Sequence, residues 1–291
     1  MDVLIISTNR NRHPMPVMPL GACMVADATA RAGHRVRFLD LMFARNPLRA
    51  VATELRTRQP DVIGLSVRNI DNNDMQRPVF YLGDLNGILE TIRRSSQAPV
   101  VLGGAAVSVM PEEILRFTGA SCAVCGEGEA VFPELIEFLA EGKLPEDLPG
   151  LAWLDSGRFR FNPPSVTGHS RHCAVPHFRR WLEIGAYRRH LAAVPLQTKL
   201  GCHFQCVYCT YRKIEGNTYR MLEPESIVQA IKQLERSGFR DIEIVDNVFN
   251  SPYHHAREIC EGLARSRPRA RLQSIELNPV LLDDGLPRAM A

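Results

Sequence analysis

Three cysteines, Cys202, Cys206 and Cys209, stand within the segment KLGCHFQCVYCTY, separated by three residues and then two. No other segment concentrates thiols in this way. Three thiolates are soft ligands that suit either an iron–sulfur cluster or zinc. A structural zinc site takes four ligands, so zinc would have to recruit His203, Cys173 or Cys260. A [4Fe–4S] cluster held by three cysteines keeps one iron open, and that iron can chelate a ligand. A contiguous loop with this spacing can wrap three corners of a cubane from one side. The residues alone leave both readings standing.

Other chemistry-bearing residues are more dispersed. Cys122 and Cys125 form a CxxC inside a strand-like run, where alternation sends side chains to different faces, so they are expected to be core thiols. The segment HSRHCAVPH offers His169, His172, Cys173 and His177 as metal ligands or as scattered loop residues. Ser66, Arg68, Gly103, Gly104, Gly126 and Glu127 fall at or just after the ends of apolar runs. Glycines there admit either a bulky ligand or a tight turn. No GxGxxG follows the first strand, which disfavours a dinucleotide.

The elements that must position these residues alternate between strand and helix. Strands are expected at 3–7, 35–41, 61–67, 98–104 and 122–129. Helices are expected at 20–34, 51–59, 84–96, 111–118 and 130–141. Gly33 and Pro60 supply stops. Five βα units predict an α/β fold with a doubly wound parallel sheet, which binds ligands at the carboxyl ends of its strands. A hairpin follows at 148–164, then a linker with an amphipathic helix near 178–190. A second βα series has strands at 194–201, 241–250 and 272–279 and helices at 224–238 and 252–266. It reads as the opening of a (β/α) barrel with the cysteines on its first loop. The expected domains are 1–145, a hairpin and linker at 146–193, and 194–291.

Composition sets bounds on partners. The chain has 291 residues, 45% hydrophobic and 23% charged, with a net charge of +3, too small to argue for nucleic acid or membrane binding. The first residues, MDVLIISTNR, lack the pattern of a signal peptide, so a cytoplasmic location is expected. In a reducing compartment the eight cysteines are metal ligands or core residues rather than disulfides.

TKLGCHFQCVYCTY, with Tyr208 ahead of the last cysteine, resembles the signature of the radical S-adenosylmethionine (SAM) proteins. GLSVRNID, VVLGG with PEEIL after it, and CGEGE resemble segments of the cobalamin-binding domain in the cobalamin (B12)-dependent branch. The resemblance implies a Rossmann-like cobalamin-binding domain followed by a radical SAM partial TIM barrel. It implies three cofactors: a [4Fe–4S] cluster on Cys202, Cys206 and Cys209, SAM and cobalamin. One electron through the cluster would cleave SAM to a 5′-deoxyadenosyl radical, and methylcobalamin would supply a methyl group, most plausibly for C-methylation.

Further residue roles come with the resemblance. Tyr208, Asp246, Asn247, Glu276 and Asn278 would contact SAM. Ser66, Arg68, Gly103, Gly104, Gly126 and Glu127 would line the cobalamin site. No Asp-x-His-x-x-Gly segment is present, so no axial histidine is expected below cobalt, where Arg68 would lie. Expected partners are a small-molecule or peptide substrate and an electron donor of the flavodoxin or ferredoxin type, with no nucleic acid and no membrane. The barrel reading stops at three strands of about six, which implies a piece of a longer protein or a truncated, inactive product. Alternatives are a radical SAM cyclase or rearrangement enzyme, a non-catalytic cobalamin- and cluster-binding protein, and a zinc-stabilised domain.

Overall fold

A computed structural model describes residues 1–165, 171–274 and 276–290. The chain forms two compact units, Met1–Ser165 with Pro176–His190, and Val166–Val175 with Leu191–Ala291.

The first unit is built on β1 (Asp2–Ser7), β2 (Arg35–Asp40), β3 (Val62–Ser66), β4 (Val100–Gly103) and β5 (Cys122–Val124), all parallel, in the order β2-β1-β3-β4-β5. Leu4, Ile6, Ile63, Leu65 and Leu102 are fully or almost fully buried, as expected of strands covered on both faces. The helices α1 (Leu20–Arg31), α2 (Pro47–Thr57), α3 (Tyr81–Ser95), α4 (Ala105–Val109), α5 (Pro111–Thr118) and α6 (Gly128–Ala140) connect them. Val51 and Leu55 of α2 and Leu85, Ile88 and Leu89 of α3 pack into one core with β1, β3 and β4. Gly64 in β3 leaves room for the Phe132 ring of α6, since a Cβ there would stand 2.9 Å from the ring. The strand order reverses between β1 and β3, which opens a crevice at their carboxyl ends.

Several sequence expectations shift. The helix expected at 51 begins at Pro47, where the Asn46 side chain accepts from the Arg49 N–H at 3.0 Å. The fifth strand ends at Val124, because Gly128 already starts α6. The short α4 has no counterpart in the sequence reading. The hairpin β6 (Leu151–Asp155) and β7 (Arg158–Phe161) extends the main sheet, with β6 antiparallel to β5 and Cys122 opposite Trp153. The helix expected at 178–190 is two short ones, α7 (Phe178–Trp181) and α8 (Ile184–Arg189), broken at the extended Leu182. Side-chain bonds hold both to the unit. Asp27 of α1 accepts from Trp181 Nε1 at 2.7 Å and from the His177 backbone N–H at 2.7 Å, and Tyr187 donates to Asp40 at 2.7 Å.

The second unit carries a parallel sheet in the order β12-β11-β8, where β8 is Val194–Leu196, β11 Asp241–Ile244 and β12 Arg271–Gln273. An antiparallel pair, β9 (Lys199–Leu200) and β10 (Arg220–Met221), stands beside it. The helices are α9 (Tyr211–Glu215), α10 (Pro224–Arg236), α11 (Tyr253–Ser266) and α12 (Gly285–Met290). Buried Ile227, Ile231 and Leu234 of α10 recur at helical spacing. All three strands are shorter than expected. The first breaks at Gln197–Thr198. The third gives way because Asn278 pairs with the Asn250 side chain, N–H to Oδ1 and Nδ2 to O, both at 2.8 Å, and then caps a 3-10 turn. Among the described residues no helix is long and apolar enough to cross a membrane.

Two glycines test the backbone argument. Gly33 (φ +93°) has nothing within 4 Å of its missing Cβ, whereas a Cβ at Gly104 (φ +98°) would stand 2.6 Å from the Val67 carbonyl oxygen. Gly33→Ala is expected to cost about 1 kcal/mol in urea unfolding, the left-handed penalty alone. Gly104→Ala is expected to cost clearly more. Equal midpoints for the two variants would contradict the packing.

Candidate functional site

Two clusters of the expected residues form, one in each unit. In the first, Thr8 closes the crevice floor by donating both its N–H (3.1 Å) and its hydroxyl (2.9 Å) to the Ser66 carbonyl oxygen. Asn9, Arg10, Val67, Arg68, Asn69, Tyr81 and Asp84 are among the residues lining the pocket there. Asn9 Oδ1 accepts from the Asn11 N–H at 3.1 Å and from Asn69 Nδ2 at 3.4 Å. Asn9 Nδ2 and Arg10 Nε are buried with no acceptor among the described residues. Buried donors without partners are costly, and these two fit a ligand rich in carbonyl or phosphate oxygens. The sequence reading missed both.

The glycines of this edge have mixed reasons. Gly103 has open room, its nearest contact for a Cβ being the Val124 carbonyl at 3.6 Å. Gly104 is required by the Val67 backbone, and Gly126 (φ +81°) turns tightly under Pro164, 3.2 Å from a Cβ. For these two, the turn explains the glycine without a ligand. Ser108 of α4 links the turns, accepting from the Gly126 N–H at 2.9 Å and donating to the Gly104 carbonyl at 3.2 Å. Glu127 precedes the first turn of α6, and Arg68 is exposed at the rim.

In the second unit the cysteine loop is rooted by β9 and β10. Gly201 (φ +79°) starts it, where a Cβ would collide with the Thr218 carbonyl oxygen at 2.1 Å. Cys202 is buried, Cys209 half-buried and Cys206 exposed. Tyr208, between the last two, is 87% exposed. Glu215 of α9 folds back under the root: Oε1 accepts from Gln197 Nε2 at 2.8 Å, and Oε2 accepts from the Gly201 N–H at 3.1 Å and from Asn247 Nδ2 at 2.9 Å. Burial raises its pKa against those three bonds.

The residues after β11 take separate roles. Asp246 is 1% exposed and Lys199 2% exposed. Asp246 accepts from Lys199 Nζ at 2.8 Å, from the Thr198 N–H at 2.7 Å and from the Thr198 hydroxyl, while Lys199 also donates to the Phe249 carbonyl at 3.3 Å. Asp246, expected at SAM, is thus enclosed by the protein's own donors. Asn247 differs: its Oδ1 is buried with no donor among the described residues. Asn278 uses its side chain on the Val280 N–H at 3.0 Å, so it is also engaged internally. Glu276 is exposed, and its carbonyl accepts from the Phe249 N–H at 2.7 Å.

The thiols and histidines sort accordingly. Burial pushes Cys122 up to about 11 and Cys125 up to about 12, so both stay neutral core thiols. Burial and then Asp246 push Cys173 up to about 12, and burial pushes Cys260 up to about 11. His177 is bonded to Asp27 at 3.0 Å and His172 lies 3.8 Å from Glu223, while His169 is outside the described residues. Among the described residues no three or more His, Cys, Asp or Glu converge on a single metal ion. In a cubane each cysteine ligates a different iron, so three thiols along one loop with a buried acceptor near its root fit that group.

A family described as the B12 binding domain matches residues 9–136. The fold matches that of the radical SAM methyltransferase TsrM from Kitasatospora setae, solved with cobalamin and a [4Fe-4S] cluster bound, with a TM-score of 0.87 and 28% identity over 99% of this chain and 58% of that one. The chain is thus similar to cobalamin-dependent radical SAM methyltransferases, and its residues 9–136 match the B12 binding domain. It is 27% identical to hopanoid C-3 methylase of Methylococcus capsulatus, over 93% of this chain and 52% of the relative. It is 24% identical to tryptophan 2-C-methyltransferase of Streptomyces laurentii, over 91% and 52%. The chain spans about half the length of the curated relatives it matches.

The ion pair at the loop's root has a measurable consequence. Lys199→Met leaves the Asp246 carboxylate buried without its cation and is expected to cost about 3–5 kcal/mol in chemical denaturation. Adding Asp246→Leu removes the stranded charge and should restore much of that loss. A Lys199→Met chain as stable as wild type would show that Asp246 is not a buried charge.

Proposed function

We propose that this chain serves a cobalamin-dependent radical SAM C-methyltransferase acting on a small molecule. The observation that carries the reading is a B12-binding unit in one chain with a three-cysteine loop rooted beside a buried acceptor that has no donor among the described residues. When bound, the [4Fe–4S] cluster would supply the electron for reductive cleavage of SAM, and cobalamin would carry the methyl group.

The chain's own residues would do the rest. Cys202, Cys206 and Cys209 hold the cluster. Asn247 Oδ1 would accept from the α-amino group of SAM, Tyr208 would lie against the adenine, and exposed Glu276 would reach the ribose or carboxylate. Asp246 acts one step back, by holding Lys199 and Thr198 so that the cysteine loop leaves β9 in one direction. In the first unit, Asn9 Nδ2 and Arg10 Nε donate to oxygens at the corrin periphery or tail, with Ser66, Gly103 and Glu127 alongside. Arg68, exposed at the rim of the same crevice, would stand beside the bound cofactor, and because a guanidinium stays protonated and offers no lone pair it would contact the cofactor without ligating its metal. An electron donor of the flavodoxin or ferredoxin type would reduce the cluster.

Iron content after anaerobic reconstitution tests the cluster. Cys206→Ala should lose most of its iron, while Cys122→Ala and Cys260→Ala should keep theirs. Full retention in Cys206→Ala would overturn the assignment. Corrinoid retention tests the other site: Asn9→Leu should weaken it about tenfold, the worth of one well-placed buried hydrogen bond. Unchanged retention would move the cofactor away from this crevice.

A further inference from the structure

The buried amide of Asn247 has two ends, and only one is engaged. Its Nδ2 donates to Glu215 Oε2 at 2.9 Å, and its Oδ1 has no donor among the described residues. An amide can be flipped, which exchanges donor and acceptor. Glu215 removes that freedom. A carboxylate oxygen accepts, and Oε2 already takes the Gly201 N–H at 3.1 Å, so the group facing it must be the NH2 end. Gln197 Nε2, at 2.8 Å from Oε1, fixes the carboxylate from its other side.

We propose that Glu215 is a positioning residue that sets ligand selectivity through Asn247. By holding the NH2 end, it commits Oδ1 to face the ligand as an acceptor, which selects an N–H donor, the α-amino group of an amino-acid-bearing ligand. The inference rests on the SAM reading above and adds a residue to it. Glu215 and Asn247 are 32 residues apart in sequence. Since Gly201 and Asn247 share one oxygen of Glu215, the same carboxylate also ties the acceptor to the start of the cysteine loop. A ligand without the α-amino group would leave Oδ1 buried and unpaired, so discrimination should exceed what the rest of the ligand provides.

The test is a double-mutant cycle read as a binding ratio. The full chain, reconstituted with iron and sulfide, is measured by equilibrium dialysis against SAM and against its analogue lacking the α-amino group. Wild type, Glu215→Gln, Asn247→Leu and the double variant are compared. The amide placed at 215 can donate to Asn247 Oδ1 and let the side chain turn its NH2 end to the ligand. Glu215→Gln is therefore expected to lose about tenfold of the preference for SAM at unchanged iron content. Asn247→Leu should lose at least as much, and the double variant no more than Asn247→Leu, because Glu215 acts through Asn247. Gln197→Leu, which loosens the carboxylate but leaves the Asn247 bond, should keep the preference. An intact preference in Glu215→Gln, or losses that multiply in the double variant, would overturn the proposal and leave the SAM reading standing. An intact preference in Asn247→Leu would overturn it even if Glu215→Gln took up no iron. Wild type that takes up iron yet binds neither compound would overturn the SAM reading and this inference with it.

Discussion

The second unit depends on a buried ion pair. Lys199 and Asp246 are almost wholly withdrawn from water, which costs several kcal/mol per ion unless every remaining donor and acceptor is engaged. Here most are engaged: Thr198 supplies two further donors to Asp246, the Phe249 carbonyl takes a second Lys199 proton, and the ammonium lies 5.9 Å and 6.0 Å from the Tyr219 and Phe249 ring centroids. The pair joins β9 to the residues after β11 across a long intervening stretch, and the first cysteine follows Lys199 by only three positions. A rigid root therefore carries a loop whose own residues, Val207 and Tyr208 among them, have little packing. Burial falls from Cys202 at the root, 6% exposed, to Val207 and Tyr208 toward the tip.

Glu215 adds a second clamp of a different kind. Lys199 and Asp246 oppose charge with charge, whereas Glu215 gathers three neutral N–H donors around one carboxylate. Burial opposes its ionisation and the donors favour it, and the net direction is a raised pKa. The arrangement fixes the loop's first peptide and the orientation of Asn247 together. Positioning and recognition thus share one side chain at the carboxyl end of the sheet.

The first unit solves its problem by topology. Strand order β2-β1-β3-β4-β5 separates the connections leaving β1 and β3, and the crevice they leave holds buried donors with no acceptor among the described residues. The hairpin then covers the far edge by pairing β6 with β5, which protects Cys122 and Cys125 as apolar thiols and places Pro164 over Gly126. Ser108 ties the Gly104 and Gly126 turns together. The glycines of this edge therefore owe as much to close backbone packing as to any ligand.

Much of this was legible in the sequence. Apolar runs such as VLIIS and VIGLS mark strands buried on both faces, Gly33 and Pro60 mark stops, and the spacing of Cys202, Cys206 and Cys209 marks a three-thiol loop after a strand. These are local signals, because periodicity, turn chemistry and ligand spacing act over a few residues. What only the tertiary structure decided acts over long separations. Asp246 reads as a strand-end carboxylate until Lys199 is found against it. Asn247 reads like its neighbour until Glu215 fixes one end of its amide and leaves the other without a donor among the described residues. The hairpin reads as a connector until Trp153 pairs with Cys122. The shortened strands have the same origin, since Asn250 and Asn278 satisfy backbone groups that a longer ladder would have used. Whether a polar side chain serves a ligand or the protein depends on which distant donors fold against it, and no local pattern carries that information.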